Sequence, residues 1–435
     1  MGFSEQDLER MVTHVGRRLL GIRGQLQTKI KSYLRMASGE HGSLYFSQPS
    51  SLHPLLAVAL SEHLKAETEV QEIINYLFDF NLPTNRTVEV GYGREVLAVV
   101  EGYYFFLHKS TPLVAHIFVD YWPVKNPSAV SLYFNPQDQA TAERFIQGLE
   151  EHFYKRNFYK GQKLVLVKVG NQDVELRFLD AEGWKGMEVV LPEGQHQAIY
   201  ENTLGWLQQA EALSRAGLAT KRGVILSGPP GTGKTLLFKS LCAQAEGITC
   251  LFATGESFVS PGDILNLYEL ARMLKPTMVF LEDLDFVGNE RQPEGTFSNK
   301  LLGALLAELD GVKGNEEIVT LASTNFPEVI DKALADRPGR FDLKVEITFP
   351  GKEERKRMLS HFLGRLRDGV RPEVSEEEIA SLVEATNGLS GAHLAEVVTQ
   401  AASRCLFDRK PVLTPVDLRN SLKALKEGKE KEIGF

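Results

Sequence analysis

Residues 223–240 read Gly-Val-Ile-Leu-Ser-Gly-Pro-Pro-Gly-Thr-Gly-Lys-Thr-Leu-Leu-Phe-Lys-Ser. The apolar run Gly223–Ser227 predicts a buried strand, and Leu236 onward predicts a helix. Between them, Gly228-Pro229-Pro230-Gly231-Thr232-Gly233-Lys234-Thr235 has the composition and context of a phosphate-binding loop. Its glycines allow the backbone to come close to an anion, and its N–H groups gather at a helix N-terminus where the dipole favours negative charge. Lys234 is placed to reach β- and γ-phosphates, the Thr235 hydroxyl to bind Mg²⁺, and Leu236 to open the helix that follows.

Outward from this loop, apolar strands are expected at 223–227, 249–253, 277–282, 317–323 and 344–348, with helices between them. Such alternation implies an α/β fold with a parallel, helix-flanked sheet. The strand Met278-Val-Phe-Leu-Glu282-Asp283 ends in two carboxylates. One suits a Mg²⁺ water shell and the other an attacking water. After Pro350 the chain turns helical and charged to about residue 427, and its last residues are expected to be a solvated tail.

Residues 1–190 read differently. Leu8, Val12, Val15, Leu19, Ile22 and Leu26 form a helical stripe, best read as an amphipathic helix packed on its own domain. One or two further helices are expected over 53–80. Val-, Leu-, Phe- and Tyr-rich strands are expected at 95–107, 113–121, 129–134, 163–169, 174–179 and 186–191, with a helix near 137–155. This predicts an α+β N-terminal domain. Of the 39 aromatic residues, 24 fall in residues 1–190, mostly as strand cores.

The chain has 435 residues, 43% of them hydrophobic, and a net charge of -8. These values exclude a wholly disordered chain, and the acidic balance argues against a nucleic-acid partner. No apolar stretch has membrane-helix length. Three cysteines without a CxxC pair point to the reducing cytoplasm. There is no HExxH, so a built-in zinc protease is not expected.

Further motifs follow the loop in order: Leu301-Leu-Gly-Ala-Leu-Leu-Ala-Glu-Leu-Asp-Gly311, Ser323-Thr-Asn325, Arg337-Pro-Gly-Arg340-Phe-Asp342 and Gly388-Leu-Ser-Gly391-Ala392-His-Leu394. With the phosphate loop and the acidic strand end, residues 191–428 resemble an AAA ATPase of the classical clade, within the AAA+ superfamily. The resemblance implies a Mg²⁺-dependent ATPase with a helical lid, assembled as a homo-oligomer, a hexamer. By position, it implies that Glu282 lies on the Mg²⁺ side with Thr235 and that Asp283 polarises the water. Asn325 matches the first sensor of the γ-phosphate. Arg337 and Arg340 match the arginine fingers that complete a neighbour's site. Gly391 and Ala392 match the lid contact near adenine and ribose, and Ala198-Ile199-Tyr200 are candidates for the other side of the base.

The sequence departs from that family in four places. The acidic pair is Glu-Asp where most members read Asp-Glu, a swap seen in the branch resembling the mitochondrial translocase of a folded protein; this chain shows no comparable membrane segment. The connection Thr254–Asp263 is short, and Phe258-Val259 is followed by Ser260-Pro261 rather than Gly. Phe258 is therefore either a central-pore residue or a packed loop aromatic. An extra residue in Ala333-Leu-Ala-Asp-Arg337 leaves open which arginine is the main finger. Ile433-Gly434-Phe435 lacks the penultimate Tyr of proteasome-type ATPases, so a dedicated peptidase is not expected.

The expected organisation is a helical part at 1–86 and a strand-rich part at 87–190, which together recruit substrates or adaptors. A large nucleotide-binding subdomain at 191–350, a helical lid at 351–428 and a flexible tail at 429–435 follow. The expected function is ATP-driven remodelling or chaperoning of protein clients. The alternative is an ATP-dependent assembly scaffold with little turnover.

Overall fold

The computed structural model describes residues 24–74, 83–119, 127–169, 173–192, 194–258, 260–284, 296–310, 314–326, 341–367 and 369–432. The chain forms two compact units, one of residues 1–162 with 167–178, the other of 163–166 with 179–435.

The first unit is built on strands β1 (Gly42–Pro49), β2 (Glu69–Ile74), β3 (Thr84–Gly91), β4 (Arg94–His108), β5 (Thr111–Val119) and β6 (Pro127–Phe134). They form an antiparallel sheet of order β1-β6-β5-β4-β2, with β3 paired to the first half of β4. Helix α1 spans 24–33, α2 is His53–Glu67 and α3 is Gln139–Lys155. Neighbouring residues of a strand face opposite sides of the sheet. Accordingly Phe105 packs with Leu26 and Ile30 of α1 and with Leu34 just after it, while Phe106 meets Phe145 of α3 at 4.9 Å between ring centroids. Both phenylalanines are fully buried, each contributing about 2–3 kcal/mol of apolar burial. A sheet covered on both faces accounts for the aromatic surplus, and α1 packs on its own domain. The rest of the helical stripe, residues 8–22, lies outside the described residues.

Three expectations for this region are corrected. The part at 1–86 is not purely helical: it holds β1, β2 and the start of β3. The helical reading of 53–80 stops at Glu67, because β2 follows. A register shift between Val70 and Glu72 breaks the period-2 alternation that would have identified β2 as a strand. Residues 186–191 form no strand. Their apolar side chains are divided between two cores: Val189 and Leu191 pack against the sheet core of the second unit, and Val190 packs in its lid core.

In the second unit, β9 (Arg222–Ser227), β10 (Thr249–Thr254), β11 (Thr277–Glu282), β12 (Ile318–Thr324) and β13 (Leu343–Glu346) pair in the order β13-β9-β12-β11-β10. All four pairings are parallel. Strand β7 (Lys163–Val169) continues this sheet, Lys163–Val165 pairing in parallel with Cys250–Phe252. The start of a strand expected in the N-terminal domain therefore belongs to the nucleotide-binding sheet, whereas β8 (Asp173–Phe178) belongs to the first unit. Phe238, on helix α7 (Lys234–Gln244), stacks on Phe280 of β11 at 4.2 Å. This contact seats the helix that follows the phosphate loop on the sheet core.

The lid is α10 (Lys352–Gly364), α11 (Glu376–Ala385), α12 (Gly391–Phe407) and α13 (Pro415–Glu432), around a core that includes Leu359, Leu394 and Val397. Between β9 and this lid lie α8 (Pro261–Met273) and α9 (Thr296–Asp310). Helix α13 runs through residues 429–432, which were expected to be tail; 433–435 lie outside the described residues.

Candidate nucleotide site

The phosphate loop leaves the C-terminal end of β9 beside β12 and β13, where an open α/β sheet presents its ligand crevice. Two of its glycines are fixed by close approach. Gly228 has φ 144°, and a Cβ there would lie 2.0 Å from the Ile347 carbonyl oxygen. Its N–H donates to Thr324 O at 3.3 Å, tying the loop to β12. At Gly231 a Cβ would come within 2.9 Å of both Ala392 Cβ and Ser390 Oγ. No side chain fits in either place without backbone movement. Replacing Gly228 with Ala should therefore abolish nucleotide binding and lower the melting temperature, by about 2–4 kcal/mol of strain and lost packing. Thermal denaturation with and without Mg-ATP reads both effects; a variant that kept the ATP-induced shift would refute the packing argument.

The rest of the loop organises Lys234. Thr232 Oγ1 donates to Pro229 O at 2.8 Å, while Pro230 is exposed at the turn. Gly233 is the N-cap residue of α7. The helix ladder begins with Leu237 N–H on Gly233 O, so the amides through Leu236 precede the ladder, as in an anion-receiving helix start. Lys234 is buried at 7% exposure. Its Nζ donates to Gly228 O (2.8 Å), Pro229 O (3.0 Å) and Asn325 Oδ1 (2.8 Å).

From Lys234 a polar chain crosses the strand ends. Asn325, just past β12, turns its Oδ1 to the ammonium and its Nδ2 to Asp283 Oδ1 at 3.1 Å. The amide orientation follows from its neighbours, since an ammonium only donates and a carboxylate only accepts. Thr235 Oγ1 donates to Glu282 Oε1. The hydroxyl and the two carboxylates expected around Mg²⁺ and the attacking water thus converge beside Lys234. This oxygen-rich donor set is the type a hard divalent cation takes.

The lid closes on the loop from the far side. Ser390 caps α12, and His393 completes a capping box through Nδ1 and its own N–H. The next contact is direct: Ala392 N–H donates to Gly231 O at 3.1 Å. Gly391 sits 3.6 Å from the same oxygen, measured from the position of its would-be Cβ. Both expected lid residues therefore meet the phosphate loop.

Other expected residues fall elsewhere. Ile199, on α4 (Gln195–Glu201), is fully buried in the sheet core, and the Tyr200 hydroxyl donates to Gln208. The side chain of Ile199 is not available to a base. Phe258 is a packed aromatic, at 7% exposure. Its turn is held by Ser257 Oγ donating to Leu166 O at 3.2 Å. Arg337 and Arg340 lie outside the described residues. The stretch that follows them is anchored by Asp342, which exchanges two 2.8 Å hydrogen bonds with Gly223: its N–H donates to Gly223 O, and its Oδ2 accepts from Gly223 N–H.

Sequence reasoning missed two features. Val189–Leu191 joins the sheet core to the lid core, a role hidden because its pattern resembles a strand. Ser323 holds the turn at Asp283 by accepting its main-chain N–H on Oγ, a role that the motif Ser323-Thr-Asn325 does not by itself reveal.

Part of the second unit is similar in sequence to known proteins. Residues 224–349 match the sequence model of the ATPase family associated with various cellular activities (AAA). The ATP-dependent zinc metalloprotease FtsH of Acidothermus cellulolyticus is 36% identical over 256 residues, which is 56% of this chain and 36% of that protein. The human ATP-dependent zinc metalloprotease YME1L1 is 32% identical over 268 residues, 59% of this chain and 33% of that protein. The chain thus spans about a third of the length of these curated relatives. A crystal structure of the FIGL-1 AAA domain in complex with ADP aligns with a TM-score of 0.44 and 23% identity, covering 55% of this chain and 83% of that one. The chain carries an AAA ATPase domain on an α/β, AAA+-type fold.

Proposed function

We propose that this protein is a ring-forming ATPase, a hexamer, whose Mg²⁺-dependent ATP hydrolysis remodels or chaperones protein clients recruited by its N-terminal unit, in the cytoplasm. The observation that carries the reading is the chain Lys234–Asn325–Asp283 next to Thr235–Glu282. Lys234 would exchange its carbonyl partners for β- and γ-phosphate oxygens. Thr235 and Glu282 would hold Mg²⁺, which would supply positive charge to offset that of the phosphates. The Asp283 carboxylate would accept a proton from the attacking water, with Asn325 Nδ2 fixing its direction. Gly391 and Ala392 would report nucleotide at the loop to the lid, since Ala392 N–H is bonded to Gly231 O.

Zinc-dependent proteolysis, named for the relatives, is not carried over: these 435 residues contain no HExxH. Among the described residues no helix is long and apolar enough to cross a membrane. The buried Phe258 favours handling of folded or partly folded clients over processive threading.

Steady-state phosphate release by the full chain with Mg-ATP tests the reading. Assembly on ATP with no turnover would replace it with the scaffold alternative. Arg337 and Arg340 are assigned to the neighbour's site, where a guanidinium stabilises the transferring phosphoryl group. The Arg337→Ala/Arg340→Ala double variant should lose about 10³-fold or more in kcat. Mixed one-to-one with Lys234→Ala subunits, about a quarter of interfaces become intact, and activity should return in proportion. No recovery in verified mixed rings would place the fingers in cis or outside the mechanism.

A further inference from the structure

Beyond the acids themselves, the turn that presents Asp283 is built by a residue to which the resemblance gives no role. The β11–β12 ladder is regular through Leu281 opposite Ala322. β11 ends at Glu282, and the next residue leaves the strand: Asp283 has φ 53°, in the left-handed region. Two oxygens of one residue hold it there. Ser323 Oγ accepts the Asp283 N–H at 3.2 Å, and Ser323 O accepts the Leu284 N–H at 2.9 Å. Ser323 is 1% exposed in a strand whose residues are all buried, so water does not readily replace its hydroxyl.

The conformation and the residue at 283 match. Asp and Asn enter the left-handed region several-fold more readily than longer side chains. There the short carboxylate reaches Asn325 Nδ2 at 3.1 Å. The swapped order Glu282-Asp283 thus acquires a physical reason: the turn brings a shorter acid to the sensor amide.

We propose that Ser323 is a positioning residue for hydrolysis, holding the 283–284 turn in the left-handed conformation that delivers the Asp283 carboxylate to Asn325. It acts through the main chain and touches no reacting atom. The proposal rests on the hydrolytic reading above, and its test separates the two.

In the full-length chain, Ser323→Ala should lower kcat by about 10- to 100-fold, the cost of a displaced catalytic group. KM and the dissociation constant for ATP should stay within about twofold. Ser323→Thr, which keeps the oxygen, should recover most of kcat. A purely structural role would instead lower the melting temperature and shift KM and kcat together. Hydrogen exchange followed by mass spectrometry on a peptide covering 278–286 gives an independent readout. Ser323→Ala should raise exchange at Asp283 and Leu284 while the β11 amides stay protected. Wild-type kcat in Ser323→Ala, or unchanged exchange at these two amides, would overturn the proposal. If the wild-type protein itself hydrolyses no ATP, the hydrolytic reading falls, and the exchange measurement alone decides the clamp. If Thr does not fit the buried site, the Ser323→Ala exchange and kcat values still decide it.

Discussion

Asp283→Asn should bind ATP and fail to hydrolyse it. The substitution is nearly isosteric, and Asn tolerates φ 53° as well as Asp does. The main-chain bonds to Ser323 need only the N–H groups of 283 and 284, which the variant keeps. The amide oxygen can still accept from Asn325 Nδ2. What is lost is the negative charge and the basicity that would take the water proton. General-base loss is worth about 10²–10⁴ in rate. Affinity for ATP should hold or rise slightly, because one negative charge near the phosphates is gone. Single-turnover hydrolysis beside equilibrium nucleotide binding makes the comparison. A variant within tenfold of the wild-type rate would remove Asp283 from the base role and return the question to Glu282. If the variant behaves as expected, it is also the form in which clients of the N-terminal unit should be retained on ATP for crosslinking.

The chemistry of this site was legible wherever it is written in side chains at fixed spacing. Gly228 through Thr235 carries its own geometry: Gly228 and Gly231 answer close approaches by Ile347 and by the lid, and Gly233 takes a left-handed φ of 103°. Four of the parallel strands, β9 to β12, were legible because they are buried along nearly their whole length, which gives plain apolar runs; β13 exposes Lys344 and Glu346. What stayed hidden is held by non-local or main-chain contacts. Nothing in the alternation of 163–169 says which sheet it joins; that is decided by its pairing with Cys250–Phe252. Strand β2 is concealed by its bulge, and Val189–Leu191 imitates a strand while serving two cores. Phe258 could be read two ways from sequence because a pore aromatic and a packed aromatic are the same residue. Burial separates them, and the Ser257–Leu166 bond that holds its turn spans a separation no local pattern encodes. Ser323 would pass as a neutral strand residue were its hydroxyl not placed one step beyond the last ladder pair.

Lys234→Ala should remove nucleotide binding with little harm to the fold. The ammonium is buried among Gly228 O, Pro229 O and Asn325 Oδ1. Deleting it relieves the cost of burying a charge but also strips partners from these oxygens, and the two effects oppose each other. Without nucleotide, the melting temperature should therefore move by only a few degrees. Phosphates meet a different balance. In the variant they lose a cation and face carbonyl oxygens no longer screened by it, so attraction is replaced by repulsion. A charge-assisted contact of this kind is worth about 3–4 kcal/mol, or about 10²–10³ in affinity. Ligand stabilisation scales as RT ln(1 + [L]/Kd), so ATP at 100 times the wild-type Kd contributes about 2.7 kcal/mol to the native protein and less than about 0.5 kcal/mol to the variant. Thermal denaturation with and without Mg-ATP separates these cases directly. An intact ATP-induced shift in Lys234→Ala would mean that the loop amides alone hold the phosphates, and the chain from Lys234 through Asn325 to Asp283 would then lose its anchor. Loss of the shift with an unchanged baseline would fix Lys234 as the group through which bound phosphate reaches Asn325 and Asp283.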